Sequence, residues 1–194
     1  MQVAVIGGNA APPDIVALAE RVGQLLAEAG ATVVCGGGSG VMLGACRGAR
    51  LAGGHTVGIL PGHTSAETPP NEFVEFVVYT GVGYARNSIV ALSGEAVIAI
   101  DGAYGTLSEL AFALMWDVPV VGLRTWEFNY PGFDPASISR VDTPEEAVAT
   151  ALSLAKAPPA RRLDARLTPP EARSHADRVR TRPRDPRFAR QPHD

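Results

Sequence analysis

Two glycine-rich turns constrain this chain more than any other feature: Gly36-Gly37-Gly38-Ser39-Gly40 and Asp101-Gly102-Ala103-Tyr104-Gly105-Thr106-Leu107-Ser108-Glu109. Each follows an apolar run, and each opens a segment with helix-like apolar spacing. A chain that leaves a strand, turns through small residues and enters a helix points its first, unpaired helical amides outward. Those amides, together with the positive end of the helix dipole, attract phosphate. Two such turns in one small domain point to a nucleotide-like ligand.

Strand and helix signals alternate along the first 155 residues, the pattern of a parallel sheet wrapped by crossover helices. Strands are expected at 2–6, 32–35, 56–60, 73–80, 96–100 and 119–122. The run at 96–100 is unbroken Ala-Val-Ile-Ala-Ile, as a central strand buried on both faces requires. The first helix begins near Asp14, keeps Ile15, Leu18, Val22, Leu25, Leu26 and Ala29 on one face, and stops at Gly30. A second runs from Ser39 to Leu51, a third follows Gly81 and Gly83 as far as Leu92, and a fourth leaves the second glycine-rich turn for Trp116. Thr143, Pro144 and Glu146 form a capping box that starts a last helix reaching Ala155. Residues 61–72 read as a surface loop. Residues 124–140 read as a long connection whose Trp126, Phe128, Tyr130 and Phe133 pack over a core edge or lid a pocket. The expectation is a single-domain, doubly wound, Rossmann-like α/β fold of six strands. Its ligand should sit at the carboxyl ends of the strands, where strand order reverses.

The net charge of −3 conceals an asymmetry. Residues 1–156 carry 7 basic and 15 acidic side chains, whereas residues 157–194 carry 10 and 5. The latter stretch also holds seven prolines and almost no apolar periodicity, so it is expected to be a disordered tail beyond a domain ending at residue 156. Its arginines are diluted with prolines and acids, which argues against nucleic acid as a partner. No apolar run approaches the ~20 residues of a membrane span. Two cysteines, Cys35 and Cys46, fit neither a metal pair nor a secreted disulfide framework, and a cytoplasmic location is expected. They read as buried apolar side chains.

Several ligand chemistries are excluded. No G-x-G-x-x-G passes through Gly36 to Gly44 or through Gly7-Gly8-Asn9, which removes the nicotinamide and flavin fingerprint. The one lysine, Lys156, stands at the edge of the tail, so neither a Walker lysine nor a pyridoxal Schiff base is available. His55 and His63 are scattered and suggest no metal site. No cofactor is expected. Gly105 and Thr106 would offer amides and a hydroxyl to an anion, and Glu109 lies one turn further on the same helix face. Glu109 either faces the ligand's sugar or completes a capping box with Thr106. Arg86, near the start of the third helix, is a partner for phosphate or for Glu109.

Gly36-Gly37-Gly38-Ser39-Gly40-Val41-Met42 and Gly102-Ala103-Tyr104-Gly105-Thr106-Leu107-Ser108-Glu109 resemble the GGGxxGxM and PGGxGTxxE turns of the LOG (Lonely Guy) family. The resemblance covers residues 1 to about 155. It implies a Rossmann-like homodimer that binds nucleoside 5′-monophosphates and, in the hydrolytic members, cleaves the N-glycosidic bond. It assigns a catalytic pair to Arg86 and Glu109, with Gly36, Gly37, Gly38, Ser39, Gly40, Gly102, Tyr104, Gly105 and Thr106 around the phosphate. Where the hydrolases have Arg-Lys this chain has Arg86-Asn87, and where they have Pro-Gly-Gly it has Asp101-Gly102-Ala103. Asp101 would repel a phosphate unless it faces away. These departures resemble the branch that includes the molybdenum cofactor carrier proteins. Two functions follow: a phosphoribohydrolase acting on a purine nucleoside monophosphate, taken as the leading expectation, and a non-catalytic carrier or sensor of a phosphorylated pterin or nucleotide.

Overall fold

A computed structural model describes residues 1–129, 132 and 134–155. They form one parallel sheet of seven strands: β1 (Gln2–Gly7), β2 (Thr32–Cys35), β3 (Thr56–Leu60), β4 (Phe76–Tyr79), β5 (Ala96–Ile100), β6 (Val120–Leu123) and β7 (Ile138–Val141). The spatial order is β4-β3-β2-β1-β5-β6-β7, so strand order reverses between β1 and β5. Those two strands pair in register from Val3 with Ala96 to Gly7 with Ile100. The helices are α1 (Pro13–Glu28), α2 (Val41–Leu51), α3 (Arg86–Ser93), α4 (Tyr104–Met115) and α5 (Pro144–Ala155).

The alternation of side chains along each strand builds two cores. Val3 and Val5 of β1, with Ala96, Ile98 and Ile100 of β5, face α1, α2 and α5. Ala4, Ile6, Val97 and Ala99 face α3 and α4 on the other side. Every residue of β5 is buried, as its continuous apolar sequence demands. The doubly wound fold expected from the sequence is therefore the fold observed.

Three details differ. A seventh strand, β7, lies within the stretch read as a connection; at four residues, with Ser139 and Arg140 at its centre, its periodicity is too short to register. The fourth strand begins at Phe76, because Phe73 and Val74 turn instead to cover Cys35, Met42 and Cys46. The third helix begins with a separate 3-10 turn at Gly83–Ala85. Trp126 and Phe128 do pack on the core of the α3/α4 side. Tyr130, Phe133 and the expected tail lie outside the described residues.

The capping box of α5 forms: Glu146 donates its amide to Thr143 Oγ1 at 3.2 Å, and Thr143 donates its own to Glu146 Oε2 at 3.2 Å. Helices α1 and α2 approach so closely that a Cβ on Gly23 would lie 1.9 Å from the Ala45 carbonyl oxygen, and one on Gly48 would lie 1.8 Å from that of Glu20. Glycine at these two positions sets how α2, and with it the first glycine-rich turn, rests on the sheet.

Candidate functional site

At the carboxyl ends of β1 and β5 a cleft of about 560 Å³ opens. Its walls come from the Gly7-Gly8-Asn9 segment after β1, the Gly36 to Ser39 turn after β2, the segment from Tyr84 to Asn87, and the first turns of α4. This is the topological switch point, where neighbouring crossovers leave in opposite directions and open a crevice.

Of the residues singled out in the sequence, Gly36, Gly37, Gly38, Ser39, Arg86, Gly105, Thr106 and Glu109 line this one cleft. Gly40, Gly102 and Tyr104 do not. Gly40 adopts φ +59°, and a Cβ there would lie 2.3 Å from the Gly8 carbonyl oxygen, so it serves the turn itself. Gly102, at φ +135°, likewise shapes the entry to α4. The Tyr104 ring is exposed and lies 6.3 Å from that of Trp126. Asp101, the acidic departure beside the second turn, is also absent from the lining.

The two glycine-rich turns are not equivalent. In the first, the Gly37 amide donates to Cys35 Sγ at 3.3 Å, the Ser39 amide to Asn9 Oδ1 at 2.8 Å, and the Val41 amide to the Gly8 carbonyl at 3.1 Å. Asn71 holds the same turn from the far side, donating through Nδ2 to the Gly38 carbonyl at 2.8 Å. Most of that turn is committed to its own scaffold. At α4, by contrast, the N-cap residue is Ala103, with no side chain capping the helix. The first intrahelical bond there is from the Leu107 amide to the Ala103 carbonyl. The amides ahead of it, those of Gly105 and Thr106 in the cleft wall, have no intrahelical acceptor and stand at the positive end of the helix dipole.

Arg86 spans the cleft floor. Its Nη1 donates to Glu109 Oε1 at 3.1 Å and to Asn87 Oδ1 at 2.5 Å, while Nη2 reaches the Gly36 carbonyl at 3.4 Å. Glu109 does not complete a capping box with Thr106; it is buried and engaged by Arg86. Burial pushes its carboxyl up to about 7, against the opposing pull of the Arg86 charge and hydrogen bond. Near neutral pH this group both holds and releases a proton.

Asn87 stands where the resemblance to the hydrolases puts a lysine. In the fold it is buried, receives Arg86, and donates through Nδ2 to Ser108 Oγ at 2.8 Å. Ser108 in turn donates to the Gly105 carbonyl at 2.7 Å. Asn87 thus ties the guanidinium to the first turn of α4. The loop at 61–72 also reaches the cleft, with Glu67 and Thr68 in its wall. No local sequence pattern marks that approach, since these residues meet the glycine turn only through sheet order. His55 and His63 each have a carboxylate neighbour, Glu75 at 2.8 Å and Glu67 at 3.1 Å. Both histidines are exposed, and no group of three or more metal-ligating side chains occurs among the described residues. No helix among them is long and apolar enough to cross a membrane.

Fold and cleft define a Rossmann-like α/β protein with a crevice at its switch point. The chain belongs to the SLOG cluster4 family, whose model matches residues 1–156. It is 37% identical over 148 residues to an uncharacterized protein of Archaeoglobus fulgidus, covering 76% of this chain and 92% of that one. Among solved structures it is similar to the molybdenum cofactor binding protein of the phototrophic bacterium Rippkaea orientalis (32% identity, TM-score 0.69, covering 79% of this chain and 96% of that one). It is equally similar to the molybdenum cofactor carrier protein of Chlamydomonas reinhardtii (31% identity, TM-score 0.69, covering 79% and 97%). The DNA processing protein A of Helicobacter pylori, at 21% identity and TM-score 0.56, shares the fold alone.

Proposed function

We propose that this protein binds a phosphorylated pterin of the molybdenum cofactor type in the switch-point cleft and holds it without turnover, as a carrier. The observation that carries this reading is the uncapped start of α4 opening into a cleft beside Arg86. Two molybdenum cofactor proteins similar to this chain over nearly their whole length support it. The Gly105 and Thr106 amides take the terminal phosphate, Arg86 adds a fixed cation at the cleft floor, and the Gly36 to Ser39 turn walls the ring system. Incubation of the purified protein with molybdopterin or the complete cofactor, followed by gel filtration, tests this directly. Pterin fluorescence after oxidation should co-elute with the protein, and Arg86→Met, which removes the fixed cation, should sharply reduce it. A cofactor that elutes free of the wild-type protein sinks the reading.

A second reading, hydrolysis of a nucleoside 5′-monophosphate, led the expectations from sequence and keeps one observation in its favour. The Glu109 carboxyl, raised to about 7 beside Arg86, is suited to moving a proton as water adds across an N-glycosidic bond. Exposure to AMP decides it. Release of free adenine that falls on the order of 100-fold in Glu109→Gln supports an enzyme. Nucleotide recovered intact supports the carrier.

We also read the protein as a homodimer, with the exposed Tyr84, Ile89, Tyr104 and Met115 of the α3/α4 region as its apolar surface. Light scattering should then return twice the 20.3 kDa chain mass.

A further inference from the structure

Cys35 and Cys46, separated along the chain by a turn and a helix start, meet with their sulfurs 3.4 Å apart. Both are buried, at the end of β2 and in the middle of α2, with Met42, Phe73 and Val74 around them. We propose that these two thiols form a peroxide-reactive pair that closes into an intramolecular disulfide directly behind the ligand cleft.

Three features of the surroundings distinguish the two sulfurs. The Gly37 amide donates to Cys35 Sγ at 3.3 Å, which favours the thiolate there. The Arg86 guanidinium sits over the neighbouring Gly36, so close that a Cβ on that glycine would lie 2.6 Å from Nη2. Its hydrogen bond with Cys46, then the Gly37 amide and the Arg86 charge, hold the Cys35 thiol below its ordinary value against burial and the Glu109 charge. Cys46 is pushed up, first by its bond to Cys35 and then by burial. The Gly37 amide on its sulfur and the guanidinium over Gly36 make Cys35 the nucleophile, with Cys46 the resolving thiol.

Cys35 is itself buried, and Gly36 and Gly37, which follow it without side chains, line the cleft wall, so the cleft is the route we assign to the oxidant. Hydrogen peroxide is small enough to use such a path, whereas a thiol-bearing peptide is not. The chemistry balances in two steps. The Cys35 thiolate attacks one peroxide oxygen, the O–O bond breaks, and the leaving hydroxide takes a proton to become water, leaving a sulfenic acid. Cys46 then attacks the Cys35 sulfur, the S–O bond breaks, and the second oxygen leaves as water with the Cys46 proton. Two thiols are oxidised by two electrons, and the peroxide is reduced by two.

The test needs no ligand and is independent of what the cleft binds. The full-length protein is treated with hydrogen peroxide, denatured, and assayed for free thiols and intact mass. The expected result is loss of both titratable thiols, a mass lower by the two thiol hydrogens, reversal by dithiothreitol, and monomeric migration without reductant. Cys46→Ser should instead gain oxygen on Cys35, while Cys35→Ser should leave Cys46 unreacted. Circular dichroism before treatment verifies that each variant is folded. Retention of both thiols in the wild-type protein, bridging only between chains, or equal oxidation of the two serine variants each overturns the proposal.

Discussion

Arg86 and Glu109, from two helices and 23 residues apart in sequence, meet at 3.1 Å with their side chains only 13% and 8% exposed. A buried ion pair is weak evidence for stability in itself, but removing one partner leaves the other desolvated and uncompensated. Arg86→Met should therefore destabilise the protein by about 3 kcal/mol or more at pH 8, where Glu109 would otherwise be ionised, and by less at pH 6, where it protonates. Urea denaturation at the two pH values measures this. Equal losses would show that the pair is not coupled to protonation.

The same carboxyl sets a pH dependence with a definite sign. Glu109 titrates near 4.5 in the unfolded chain and near 7 in the fold, so between those values the native state holds a proton that the unfolded state has released. Stability contributed by this group is intact below pH 4.5 and lost as pH rises through 7. The shift corresponds to about 3 kcal/mol. Glu109→Gln removes the titration, and the difference between wild-type and variant stability should grow in the variant's favour from pH 5 to pH 8. A phosphate dianion in the cleft raises the carboxyl further, so ligand affinity should also decline as pH rises past 7.

Asn87 is a positioning residue, and its effect is separable from charge. Asn87→Ala keeps Arg86 and Glu109 but releases the guanidinium from Ser108 and the first turn of α4. The expected outcome is a loss of roughly tenfold in phosphate-ligand affinity, equivalent to one charged hydrogen bond. Isothermal titration with the ligand measures it, and Asn87→Asp, which keeps the acceptor for Arg86, should recover part of the loss.

Gly48→Ala tests the helix contact beneath the site. The added methyl meets the Glu20 carbonyl, a backbone atom that cannot rotate away, so α1 and α2 must separate. A loss of about 1–3 kcal/mol is expected from overpacking of this kind. Thermal unfolding is the measurement, and a neutral result would place the two helices further apart.

Deletion of residues 157–194 should leave thermal stability and ligand binding unchanged, because α5 ends at Ala155 and the family match at residue 156. Lowered stability or affinity in the shortened chain would assign the basic segment a role in the domain.

Much of this architecture is legible in the sequence because its signals are local. The all-apolar β5, the amphipathic α1 and the Thr143–Glu146 capping box each declare themselves within a window of a few residues. So does a strand followed by glycines and a helix, which places each turn at a strand end before any topology is known. β7 escaped because a four-residue strand with a polar centre has no pattern of its own and exists through its pairing with β6.

The site divides along the same line. Sequence by itself determined the layered α/β fold, the two glycine-rich turns, and Arg86 and Glu109 as candidates, since backbone conformation and side-chain periodicity act over neighbouring residues. Only the tertiary structure decided that Glu109 serves Arg86 rather than its own helix cap, that Asn87 anchors the pair, and that the first turn spends amides on Asn9, Cys35 and Gly8 while the start of α4 has no side-chain cap. Burial and hydrogen-bond choice depend on which strands lie side by side, and that order arises from the packing of the whole sheet.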